Sequence, residues 1–135
     1  MPDGINYDAF SEALNDKADR DLQNVDTTAK ADAVIDFQLP TAENNYTWYR
    51  KYKSGWVEQG GITAKNISSV DALLPIEMAN TNYHVNITIE TGGTGGGGCD
   101  KAHAVGVRST TYIHIDMVAS ANYQTLWEVK GMAAQ

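Results

Sequence analysis

Between Tyr46 and Gly61 the chain reads YTWYRKYKSGWVEQGG, and no other stretch restricts the possible fold as tightly. Trp48, Arg50 and Tyr52 alternate with Tyr49, Lys51 and Lys53, which is the period of a strand with two unlike faces. Ser54-Gly55 is a tight-turn signal, and Trp56 to Thr63 reads as the return strand. The stretch therefore predicts a β-hairpin. Gly60-Gly61 inside the return strand predicts a bulge or a close approach of another backbone. Two of the three tryptophans and three of the seven tyrosines fall here, so the hairpin is also a first candidate for a binding surface. One of Trp48 and Trp56 is expected to be buried as a core anchor.

Further short segments repeat the period of two. Tyr83, Val85, Ile87 and Ile89 share one face of a strand, and His84, Asn86, Thr88 and Glu90 share the other. Val70 to Met78 is a strand interrupted by Pro75. Ala104 to Arg108 and Tyr112 to Val118 are two more, the second with Ile113, Ile115 and Met117 on its apolar side. Tyr123 to Val129 is the last, and Gly131 begins a tail. No helix-length periodic segment separates these strands. The expected fold class is mainly β: a small antiparallel β-sandwich over residues 38–135.

Residues 1–37 form a different segment, expected to be helical. Phe10 and Leu14 stand four apart, a thin apolar stripe that is marginal unless a partner covers it. Three copies around an axis would cover it, with Phe10 and Leu14 at the centre of a homotrimer. A second short helix is expected to follow, with Ala29, Ala33 and Val34 along one side.

Charge and cysteine content exclude several classes. The net charge of −7 opposes nucleic acid as a partner, because phosphate binding is driven by Lys and Arg. No apolar run reaches the roughly 20 residues that span a bilayer, so no membrane insertion is expected. The single Cys99 permits neither an intrachain disulfide nor a zinc site built on cysteine pairs. Seven of the twelve glycines fall between Gly92 and Gly106. The run TGGTGGGG from Thr91 to Gly98 lacks the Gly-Lys-Ser/Thr that opens a phosphate loop, so a surface loop is expected.

The order of phrases resembles the C-terminal head domain of bacteriophage and prophage tail-fibre proteins. Asn15 to Val25, NDKADRDLQNV, is similar to a phrase that precedes such heads. Tyr46, Trp48, Tyr49, Arg50, Tyr52, Gly55, Trp56, Glu58, Gln59, Gly60 and Gly61 match a second phrase. Leu74 to Val85, LPIEMANTNYHV, matches a third, and Trp127 to Gly131 closes the pattern. The resemblance implies a trimeric β-sandwich at the distal end of a fibre in the virion tail, made in the host cytoplasm. It also implies adsorption to a host cell-surface glycan or protein and association with other tail proteins. A structural collar, baseplate or tail-tip protein is the alternative. The segment Thr91 to Lys101 departs from the family pattern.

Catalysis is not expected, since no Ser-His-Asp, Cys-His or marked carboxylate pair stands out. Binding residues often sit on loops held by a rigid scaffold, so receptor contact is assigned first to Thr94, Cys99, Asp100 and Lys101. Tyr49 and Lys51, a basic-aromatic patch on an acidic protein, come second. His114 and Asp116 share a strand face. One His114 from each of three chains could make an axial metal site, but a hydrogen-bonded strand histidine is expected, as for His84 and His103. No metal or cofactor is predicted.

Overall fold

The computed structural model describes residues 32–93, 103–119 and 122–135. The chain divides into two compact units, Met1–Ala33 and Val34–Gln135. Phe10 and Leu14 lie outside the described residues, and so do Thr94, Cys99, Asp100 and Lys101.

Among the described residues the fold is mainly β. Eight strands are present: β1 Val34–Gln38, β2 Trp48–Tyr52, β3 Trp56–Ile62, β4 Ser69–Leu73, β5 His84–Glu90, β6 Ala104–Arg108, β7 Tyr112–Asp116 and β8 Gln124–Met132. They make a five-stranded sheet in the order β1-β2-β3-β8-β5 and a three-stranded sheet in the order β4-β7-β6. Every pairing is antiparallel. Pro75 ends β4 two residues after Leu73, where the missing N–H would break the ladder.

The period of two decides which side of each strand is buried. In β8, Thr125, Trp127, Val129 and Gly131 are buried while Gln124, Leu126, Glu128 and Lys130 are only partly so. Ile113 and Ile115 of β7 and Ala72 of β4 meet Val57, Trp127 and Val129 of the large sheet in one hydrophobic cluster. Two sheets that share one core are the expected sandwich-like arrangement. Tyr83 fastens the sheets at one end. Its hydroxyl donates to Ser109 O at 2.6 Å, and Arg108 donates to Tyr83 O at 2.8 Å.

Three details differ from the sequence reading. Val34 belongs to a strand, not to a second helix, and Val34–Gln38 pairs with β2. Its β-branched and aromatic side chains, Val34, Ile35 and Phe37, suit a pleated surface better than a helix. The last strand continues through Gly131, which is buried against Tyr83 and Met78 rather than starting a tail. Neither Trp48 nor Trp56 is buried; Trp127 holds the core position.

The Gly60-Gly61 pair proves to be a close approach. Register runs unbroken through both residues, so no bulge is present. A Cβ on Gly60 would stand 2.5 Å from the Trp127 carbonyl oxygen and 2.8 Å from Trp48 Nε1. A Cβ on Gly61 would stand 2.9 Å from the Trp127 ring. The two glycines thus seat one indole on each side of the sheet. Gly60→Ala must displace the backbone of β8, and a cost of about 2 kcal/mol is expected. Thermal denaturation of the variant checks this.

Candidate functional site

The β1–β2 connection is built with unusual care for a surface turn. Thr41 and Asn44 cap each other across a 3-10 turn at Ala42–Asn44. Tyr46 N donates to Thr41 O at 2.8 Å, and Thr47 Oγ1 donates to Asn44 O at 2.7 Å. Gln38 Nε2 reaches across to Thr47 O and Oγ1, both at 2.9 Å. This network holds Asn45 at φ 57° and Tyr46 at φ 56°, the left-handed region that costs a residue with a Cβ about 1 kcal/mol. Its product is a half-exposed Tyr46 ring at a fixed place.

Among the described residues β1 is the edge of the large sheet, and it carries exposed apolar side chains. Val34 is 46% exposed, Ile35 60%, Phe37 62% and Leu39 67%. Val34, Phe37, Leu39, Trp48 and Arg50 line a hollow of 350 Å³. An apolar strand at a sheet edge is a surface that other chains add to.

On the far side of Trp48 a second depression, of 440 Å³, crosses the outer face of the large sheet. Register assembles it. Trp48 lies opposite Gly60, Gly60 opposite Glu128, and Glu128 opposite Asn86. Leu126 lies opposite both Ile62 and Thr88. The Trp48 ring rests on Gly60, where no side chain lifts it, and Tyr46 stands at the rim. Glu128 is paired with Lys130 at 2.8 Å, and that carboxylate raises the Lys130 pKa. Among the described residues, Asn86 and Thr88 side chains make no hydrogen bond.

The three-stranded sheet presents a third group. His114 on β7 has Nδ1 2.6 Å from Asp71 Oδ1 on β4 and Nε2 3.4 Å from Asp116 Oδ1. Gly106 of β6 leaves room for this pair, since a Cβ there would meet Asp116 Oδ2 at 2.9 Å. The hydrogen bond to Asp71 is the main cause that raises the His114 pKa above its ordinary 6.5, and Asp116 adds to it. His103 behaves oppositely. It is buried, with Nδ1 2.7 Å from Thr125 Oγ1, and Nε2 has no partner among the described residues. Burial pushes its pKa below 6.5.

Opposite pH dependences follow. The His114 contribution to stability is complete below 6.5 and fades as pH rises through its raised folded pKa. The His103 contribution is complete above 6.5 and is lost as pH falls towards its lowered folded pKa. Imidazole titration by NMR is expected to place His114 above and His103 below 6.5. Asp71→Asn is expected to lower the His114 value and leave His103 unchanged.

Of the residues assigned to receptor contact from sequence, Tyr49 and Lys51 lie among the described residues. Tyr49 packs against the core, and its hydroxyl bonds Asp36 Oδ2 of β1 at 3.1 Å. Burial is the first cause that raises the Tyr49 pKa, and Asp36 is the second. Lys51 is half-buried and lies opposite Asp36. Sequence reasoning did not assemble Trp48, Asn86, Thr88 and Glu128. The alternation of β5 offered Asn86 and Thr88 as an outward face, but nothing local says that β8 lies between β3 and β5.

No protein-family profile matches the chain, and no curated protein matches it. Two solved structures are similar to it: the C-terminal part of the P. aeruginosa R2 pyocin fibre and an N-truncated R2-type pyocin tail fibre. Each aligns with 73% of this chain at 16% identity and a TM-score of 0.48. The chain spans 26% of the first and 39% of the second.

Proposed function

We propose that this protein is the head of a phage-type tail fibre, assembled from three copies, and that it binds a host cell-surface glycan or protein without catalysing a reaction. It would act in the virion tail, joined to other tail proteins. The observation that carries assembly is β1. Ile35 and Phe37 of β1, and Leu39 just after it, each leave more than half of their surface exposed. Copies of the chain packed edge to edge would remove that surface from water. Adsorption rests on the sequence phrases that resemble those of fibre heads, Trp56 to Gly61 above all. A rigid antiparallel scaffold that displays aromatic side chains outside its core supports it.

Competition for adsorption tests the function. Purified full-length protein is expected to bind envelopes of a susceptible host and, in excess, to block attachment of the cognate particle. Incorporation into particles with no envelope binding by the assembled protein would instead identify a structural collar, baseplate or tail-tip component.

A further inference from the structure

The outer face of the large sheet offers more than an exposed ring. The depression beside Trp48 has an aromatic floor fixed from below, because Gly60 lets the indole lie against the strand. It has an aromatic rim, because the hydrogen-bonded turn holds Tyr46 in a left-handed backbone conformation. That conformation is costly for a tyrosine, and a glycine there would relieve it. Its wall on β5 carries Asn86 and Thr88, which bring one amide and one hydroxyl within the same depression. Across from Asn86 lies Glu128, whose charge is matched by Lys130 at 2.8 Å.

We propose that this depression is a saccharide-binding trench for an uncharged pyranose unit, with Trp48 beneath the sugar ring and Tyr46 at its side. The chemistry matches in three respects. The C–H face of a pyranose is the natural partner of an indole face. Its hydroxyls both donate and accept, and so do the Asn86 amide and Thr88 hydroxyl. Glu128 adds acceptors without imposing net charge, so an anionic sugar is not favoured there. The site rests on the receptor-binding reading above and deepens it, by moving sugar contact from the loops to a sheet face.

Saturation-transfer NMR of the full chain with neutral methyl pyranosides, such as the glucoside, galactoside, mannoside and rhamnoside, tests the trench directly. At least one is expected to receive saturation from the protein at millimolar concentration. Two variants carry the assignment. Trp48→Ala removes the floor. Asn86→Ala with Thr88→Ala removes exposed groups whose side chains make no hydrogen bond among the described residues, so that variant is expected to keep the wild-type melting temperature. Each is expected to weaken pyranoside binding at least tenfold. No saturation transfer to any of the four glycosides overturns the trench, and so does equal binding by wild type and the Asn86/Thr88 variant. Envelope binding separates the two proposals. If that variant binds envelopes as wild type does, the trench falls and the receptor role stands. If glycosides bind but envelopes do not, the trench stands and the receptor role falls.

Discussion

Replacing Gln59 by leucine is expected to destabilise the fold by about 3 kcal/mol, enough to lower the melting temperature by roughly 15 °C. Gln59 is fully buried on β3, on the same face as Val57 and Gly61. Its amide works as a strand would. Nε2 donates to Ile76 O at 2.8 Å, and Oε1 accepts from Ile76 N at 2.8 Å. The segment after β4 is thereby tied to the large sheet, and Met78 then follows beneath it, with its sulfur 3.1 Å from the same nitrogen. Leucine fills a similar volume but satisfies neither backbone group, so the loss comes from unpaired polar atoms rather than from a cavity. Gln59→Glu sharpens the test. A carboxylate cannot donate to Ile76 O and is itself costly to bury; its pKa would rise. That variant is expected to be least stable at neutral pH and to recover partly on acidification, as the carboxyl takes up its proton. Urea denaturation of both variants across pH measures this.

The second large effect concerns assembly. Phe37→Asp combined with Leu39→Asp is expected to convert the assembled protein to single chains. Phe37 is 62% exposed and Leu39 67%, so neither side chain contributes much to the core of its own chain. Carboxylates at these positions would stay in water in the isolated chain but would be stripped of water in an interface, close to their symmetry mates. The circular dichroism spectrum of the double variant is expected to match that of wild type while its sedimentation coefficient falls. A sedimentation coefficient equal to that of wild type would show that β1 does not carry the contact.

Much of the sandwich could be read from the sequence because its information is local. The alternation in Tyr83 to Ile89 assigns Val85 and Ile87 to the core side, and both pack there. Ile113 and Ile115 are fully buried, as their spacing requires. The Trp-Glu-Gln-Gly-Gly phrase has a physical content residue by residue. Glu58 accepts from Tyr52 Oη at 3.4 Å, Gln59 holds Ile76, and Gly60 and Gly61 seat two indoles. The hairpin is therefore largely scaffold, with Tyr49 turned towards the core.

What escaped the sequence is long-range. β1 does not read as a strand from sequence because Val34, Ile35 and Phe37 do not alternate: apolar side chains occupy both faces of a five-residue strand. The bulge between Val34 and Asp36 explains this, since it shifts the register by one residue. The pairing of β8 with both β3 and β5 places Trp48 and Asn86 on one face, although 38 positions separate them in the chain. The His114–Asp71 contact likewise joins β7 to β4 across 43 positions. Local patterns fix which face a residue takes, and only strand order decides its neighbours.

The mass of the full chain in solution, measured by multi-angle light scattering at micromolar concentration, tests the three-copy fibre head most directly. A single species at three times the 14.7 kDa chain mass is the predicted result. A stable monomer at that concentration, with β1 exposed to water, would contradict it.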